Sequence, residues 1–434
     1  MRGLLARMPQ RLREVFESAA LAQYILLVSL VLVLANPLWR AFVGEVGYTI
    51  LLWLLGLIAA LSATARRSAI DWTNAVPLSV LMLLVWAVAS LAWSYQPLTT
   101  LWRLANLLGV GMLGLYIAWA RDTIQIVRGL GNVMRAILSA SLVLELVLAT
   151  LGANWPQLNI SGTLFAGGPI QGIVGSRGAM GFLALIALIT FGIEWRTRSL
   201  PTWLGLTSTA LALSCIALAS SPITFVAMGV VLSATAVLWL LRRTSAKARW
   251  RLHITFATLV ASVVALTWLF RRPLVALLDG RAEMTLRVEV WQQMSLYLFN
   301  NPLQGWGFSG GWWVGGPYSW VQRATDKTLG SGMNAYIDMY FQLGVIGLLL
   351  FLFLLGTALV RSWMLAANRR SAIYVWPALV MVTLVVVSVA DSFVLSGAGW
   401  MLLLIAVVKS AREMTWRDAL TTRSGTSLPS RVGR

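Results

Sequence analysis

The chain has 434 residues, 59% of them hydrophobic and 11% charged, and a formal net charge of +19. A water-soluble fold of this composition would lack the polar surface to cover itself, so the sequence predicts an all-α integral membrane protein. The basic residues fall in short clusters between apolar runs, where cytoplasmic loops of membrane proteins carry them, and this argues against a nucleic-acid partner.

Residues Met1 to Ala20 carry Arg2, Arg7, Arg11 and Arg13 together with the acidic Glu14 and Glu17, and the apolar run that follows is long enough to stay as an anchor rather than be cleaved off. From there, apolar stretches of bilayer-spanning length recur about twelve times. The first six run from Ala20 to Asn36, Phe42 to Ala63, Val76 to Trp93, Thr99 to Ala120, Leu130 to Gly152 and Gly172 to Glu194. The rest run from Pro201 to Ala219, Ile223 to Leu241, Leu252 to Phe270, Ala335 to Val360, Ala372 to Asp391 and Ser392 to Val408. Ser220-Ser221-Pro222 and Asp391-Ser392 are connections so short that a hairpin or re-entrant pair fits at either place. The expected organisation is one polytopic domain over 1–434, with a loop at 271–335 and a polar, basic tail at 411–434 expected to be disordered and weakly attracted to anionic lipid.

Placing the N-terminus in the cytoplasm puts most basic residues on that side. It leaves Arg40, Arg103, Arg177, Arg271, Arg272, Arg281, Arg287, Arg323 and Lys327 opposite, where each needs another reason to exist. Most lie in the 271–335 loop, which is too long for a simple connection. There a helix ends near Asn300-Asn301-Pro302 and a glycine-rich stretch follows. Met284, Val288, Trp291 and Leu298 form an apolar stripe suited to lying on the membrane interface or capping the bundle.

The loop's pattern is a basic residue, a Trp-bearing helix, N-P-L-Q-G-W-G (Asn301 to Gly307), an aromatic loop, N-A-Y (Asn334 to Tyr336) and L-G-V-I-G-L-L-L-F (Leu343 to Phe351). It resembles the bacterial O-antigen ligase and Wzy-type polysaccharide polymerase superfamily. Upstream, L-A-W-S-Y-Q-P-L-T-T-L-W-R-L (Leu91 to Leu104) is similar to the W-S-x-x-P-x-x-T-L-x-R signature of its exopolysaccharide-polymerase branch. The family usually has His-Asn where this chain has Met333-Asn334, and that His is the base proposed for the ligases.

The resemblance implies a metal-independent, inverting glycosyltransferase of the inner membrane without a cofactor. It would join undecaprenyl-diphosphate-linked repeat units at the periplasmic face, alongside membrane lipids, a chain-length regulator and export machinery. An O-antigen ligase transferring glycan to lipid A core is the enzymatic alternative, and a lipid-linked sugar or polysaccharide flippase the non-enzymatic one.

Arg177, Arg281 and Arg287 are the candidates for holding a diphosphate, whose oxygens match a guanidinium fork. Arg177 stands among glycines at a helix start that itself favours an anion. Arg287 also reads as a surface salt bridge to Glu283, and Arg281 as a headgroup contact. Asp338 and Glu289 are the candidate bases for an acceptor hydroxyl, with structural ion pairs as the competing reading. Asn334 and Tyr336 belong to the motif, and Trp306 and Trp312 offer faces for sugar rings, as Trp313, Tyr318 and Trp320 also do, although aromatics gather at membrane interfaces for amphipathic reasons alone. Glu145 is mid-span, with pairing between helices set against chemistry. His253 falls on the basic side, and Cys215, the single cysteine, reads as a small core residue. Nothing in the sequence has metal-ligand spacing.

Overall fold

The computed structural model describes residues 10–67, 75–269, 282–312, 315–326 and 329–414. These residues form helices joined by turns, with a single isolated bridge between Trp155 and Ile160 and no strand among them. The first half holds α1 (Gln10–Glu17), α2 (Ala19–Leu34), α3 (Asn36–Ala65), α4 (Leu78–Ala89), α5 (Pro97–Ala120), α6 (Thr123–Leu151) and α7 (Arg177–Arg196). The second holds α8 (Thr202–Ala219), α9 (Pro222–Arg243), α10 (Ala246–Leu269), α11 (Ala282–Leu298), α12 (Gly316–Ala324), α13 (Ala335–Asn368), α14 (Val375–Val387) and α15 (Gly397–Glu413).

Every expected apolar run falls on one of these helices. Among the described residues, seven helices, α3, α5, α6, α7, α8, α9 and α13, are long and apolar enough to cross a membrane, while α2, the α4 segment and Ala372–Val387 are apolar but shorter. At Ser220 a left-handed residue (φ 47°) ends α8, and Pro222 then starts α9 as a separate helix, as proline at a first helical position favours. Ala411 to Glu413, the start of the expected tail, continue α15, and Ala411 is buried; residues 415–434 lie outside the described ones, as do 1–9.

Two kinds of helix build the bundle. α14 and α15 are buried on nearly every side, as are Met180 to Phe191 of α7, which is what a helix apolar all round requires. α3, α8 and α9 instead expose large apolar side chains such as Trp53, Leu54, Leu57, Trp203, Leu206, Val226 and Leu232. An apolar belt of that extent is stable against lipid and costly against water. The single cysteine, Cys215, is buried in the core.

Two carboxylates inside the bundle, Glu194 and Glu145, are paired or hydrogen-bonded. Glu194 bonds Arg135, whose guanidinium also donates to Ser208 Oγ at 2.7 Å and lies 4.8 Å from the Phe191 ring centroid. Among the described residues Glu145 meets no cation: its Oε1 accepts from the backbone N–H groups of Gln171 and Gly172 at 2.6 and 2.8 Å, tying the 153–176 segment to α6.

The loop folds as a cap. α11 and α12 close a second, smaller core around Val290, Met294, Leu298, Trp312, Tyr318, Val321 and Phe341. Val290 and Met294 are the fully buried residues of α11, and of the expected stripe Leu298 is buried with them, Trp291 packs against them, Val288 is half-buried and Met284 falls outside the described side chains. Of the two placements expected for the stripe, on the membrane interface or capping the bundle, the second is the one seen: the buried face packs on α12 and the first turns of α13.

Candidate functional site

The end of the bundle that carries the cap is organised around a break in α13. Gly344 adopts φ 69°, ψ −171°, a conformation that only glycine takes without strain. Two intrahelical hydrogen bonds are lost there, and the glycine-rich loop replaces both halves of each. Val345 N and Ile346 N donate to Pro302 O (2.9 Å) and Leu303 O (3.5 Å), while Phe341 O and Gln342 O accept from Trp306 N (3.1 Å) and Gly307 N (2.9 Å). The backbones approach so closely that a Cβ on Gly344 would meet Leu303 O at 2.1 Å, and one on Gly305 would meet Gln342 O at 2.6 Å. The N-P-L-Q-G-W-G motif is thus a backbone splint for the broken helix.

The upstream motif docks on the same loop. Trp93 Nε1 donates to Gln304 O at 3.0 Å, Tyr95 N to Trp306 O at 3.3 Å, and Phe308 N to Ser90 Oγ at 3.1 Å. Gly307 (φ 101°) packs so tightly on Ser94 that an added Cβ would lie 2.5 Å from its hydroxyl. The two stretches that carry the resemblance, some two hundred residues apart, form one unit.

Where they meet, a cavity of about 280 Å³ opens between α3, α5, the start of α15 and the loop. Its polar walls are Asn36, Arg40, Tyr48, Arg103, Asn106 and Ser396, and Phe308, Gly310, Gly311, Trp312 and Gly330 roof it. Arg40 lies 4.9 Å from the Tyr48 ring centroid, and its Nη1 donates to Glu45 Oε1 at 3.1 Å. Arg40 Nε is buried without a hydrogen-bond partner. Asn106 is held by Thr49 Oγ1 (3.2 Å) and by its own bond to Trp102 O (3.0 Å). Among the described residues two guanidinium groups and no carboxylate line this chamber, although Glu45 pairs with Arg40 beside it, and a lining of this charge suits an anion.

The expected site residues are distributed differently. Asp338 is fully buried: Oδ1 accepts from Trp312 Nε1 at 2.7 Å, and Oδ2 from Gly332 N at 2.9 Å and from Ser392 Oγ. It pins the loop to α13 and to the turn after α14 and does not line the cavity. Asn334 caps α13, accepting from Tyr336 N and Ile337 N at 2.9 and 3.1 Å and donating to Val389 O at 2.8 Å. Tyr336 donates its hydroxyl to Val385 O at 2.9 Å and packs beside Phe351. Met333, in the place of the family His, holds a left-handed backbone (φ 51°) and packs on the second core.

Arg177 opens α7, and the Asp391 carboxylate sits against the next residue, Gly178, so the anion at that helix start comes from the chain itself. Arg287 is half-buried and Glu289 exposed on α11, and neither lines the cavity. Arg281 and Trp313 lie outside the described residues. Tyr95, Tyr297 and Trp306 each pack edge-on or tilted against Trp320 at centroid distances of 5.4–5.7 Å. Trp312 is the expected aromatic that reaches the cavity. Burial pushes the Tyr318 hydroxyl well above its ordinary range, and it donates to Gly307 O at 3.0 Å to brace the loop. Among the described residues no group of three His, Cys, Asp or Glu is placed to hold a metal ion.

Arg40, Arg103, Tyr48 and Asn106 are the site residues that the sequence reading did not select. The signal for the two arginines was present: both are basic residues that the expected topology puts on the disfavoured face. Tyr48 and Asn106 sit inside apolar runs and carried none.

The fold and this chamber define an all-α, membrane-embedded protein with a polar cavity roofed by a glycine- and aromatic-rich cap. No protein-family model matches the chain, and no curated protein sequence does.

Proposed function

We propose that the protein is a glycosyltransferase of the Wzy polymerase type, with about twelve spans and the cap facing the periplasm of a bacterial inner membrane. The observation that carries this reading is that the two resembling motifs pack together and jointly enclose the cavity, with Arg103 from one and Gly310 to Trp312 beyond the other. A chamber of this size suits a charged head group rather than a lipid chain, which would lie outside it against the bundle.

In this reading Arg40 and Arg103 hold the diphosphate of an undecaprenyl-linked glycan. The acceptor hydroxyl of a second lipid-linked unit forms its bond to the anomeric carbon from the opposite side, and the bond from that carbon to the diphosphate oxygen breaks. The electron pair leaves with the diphosphate, whose added charge the fixed guanidinium groups stabilise more than they stabilise the bound substrate. With Asp338 sealed under the loop, the hydroxyl proton is released to the departing diphosphate. Concentration of the polar cavity at one end of the bundle favours this over a flippase, which needs polar groups along the midplane.

Deleting the gene separates the alternatives. Single repeats accumulating outside indicate a polymerase, full-length unattached polymer a ligase, and repeats trapped inside a flippase. Arg40→Gln and Arg103→Gln, at matched membrane abundance, are each expected to lower polymer formation on the order of a hundred- to a thousandfold. Polymer at the parent level in both variants overturns the reading.

A further inference from the structure

At the end of the bundle opposite the cap lies a larger cavity, about 990 Å³, between α7, α9, α14 and the start of α10. It is at that end because Arg196 closes α7 and Arg242 and Arg243 close α9, while Arg369 and Arg370 follow the last turn of α13. These five arginines and Arg249 line its mouth, and no carboxylate does. Its depth is apolar, walled by Leu185, Ile189, Met228, Val231, Leu238 and Leu379. Some of the guanidinium groups are fixed: Arg242 donates to the carbonyls of Arg369 and Arg370, Arg249 Nε donates to Thr244 O at 2.9 Å, and Arg243 stacks 3.8 Å from the Trp239 ring centroid.

Six like charges around one opening repel one another; Glu413 acts on Arg369, but among the described residues no carboxylate lines the opening itself to relieve the rest. An anion at the mouth removes that penalty, and an apolar depth continuous with the anion's position excludes a purely hydrophilic one. We propose that this groove is a binding site for an anionic phospholipid, with the phosphate held among Arg196, Arg242, Arg243, Arg249, Arg369 and Arg370 and an acyl chain lying between α7, α9 and α14. Basic pockets between transmembrane helices at the positively charged face take anionic head groups in this manner. The site is independent of the proposed transferase reaction, which belongs to the other end of the bundle. Its bound lipid would join the chain segment after α13 to the ends of α7 and α9.

The full-length protein in detergent, titrated with phosphatidylglycerol, phosphatidylcholine of the same chains, or inorganic phosphate, tests this by native mass spectrometry. Phosphatidylglycerol is expected to remain bound where phosphatidylcholine does not, and inorganic phosphate at equal concentration is expected not to displace it. The Arg196→Gln/Arg370→Gln double variant should bind phosphatidylglycerol on the order of thirtyfold more weakly, from two charges at the membrane-surface value. Gly192 supplies a control for folding: it lines the groove, and a Cβ there would meet nothing within 4 Å. Gly192→Leu should therefore fold and fill the space for the chain, displacing the lipid with every arginine intact. Equal retention of both lipids overturns the proposal, as does displacement by phosphate alone, which would make it a free-anion site. Parent-like binding in both the double variant and Gly192→Leu overturns it as well.

Discussion

Replacing Asp338 with asparagine separates a structural role from a chemical one. The carboxylate receives three donors from three different segments, Trp312 Nε1, Gly332 N and Ser392 Oγ, with no exposure to solvent. An asparagine amide has one accepting oxygen. If it faces Gly332 and Ser392, the amide NH₂ meets the indole N–H of Trp312 donor to donor; the flipped amide can donate to Ser392 Oγ but leaves the Gly332 N–H facing its NH₂. The buried, unsatisfied indole costs about 1–3 kcal/mol, and the two remaining bonds each lose about 1 kcal/mol of charge assistance, for a total of roughly 3 to 5 kcal/mol. At about 2–4 °C per kcal/mol for mid-sized domains, the melting temperature should fall by at least about 6 °C. Thermal melting of the purified protein followed by tryptophan fluorescence measures this, and amide exchange across 305–312 and 329–334 locates it, because those are the segments that Asp338 ties down. A variant that melts like the parent, keeps its loop protection and loses activity would refute the argument and return Asp338 to the role of general base.

The other expected outcomes rest on the same geometry. Gly344→Ala puts a Cβ 2.1 Å from Leu303 O in a conformation closed to alanine, so the loop must undock and its four backbone bonds to α13 go with it. The strain alone is about 1–3 kcal/mol, and rapid amide exchange at Trp306 and Gly307 is the check. Glu194→Ala strands the mostly buried Arg135 guanidinium and should cost about 3–5 kcal/mol, read as lower thermal stability, whereas a parent-like melt would mean that water reaches Arg135. A periplasm-active reporter fused after Gly315 should be active; activity of only a cytoplasmic reporter there would reverse the orientation.

Much of this architecture is legible in one dimension. A bilayer-facing helix must satisfy its own backbone and present apolar side chains for its whole length, so each span is written as a contiguous run, and the helices formed where those runs lie. Charge bias likewise singled out Arg40 and Arg103 as residues needing a reason. Contacts between distant segments are a different matter, since they have no local signature. The exchange of hydrogen bonds between the 302–307 loop and the break at Gly344 depends on two backbones meeting, and a glycine in an apolar run does not announce that it interrupts its helix. Asp338 shares a helical face with Asn334 and looked free to act, yet its three donors come from residues up to 54 positions away in the chain. The stripe on α11 shows the same limit: periodicity states that a helix has an apolar face, but α12 and α13 decide that Val290 and Met294 are covered along with Leu298. The sequence specified the helices and the unusual charges, and only the packing of the cap on the broken α13 decided which of those charges share a cavity.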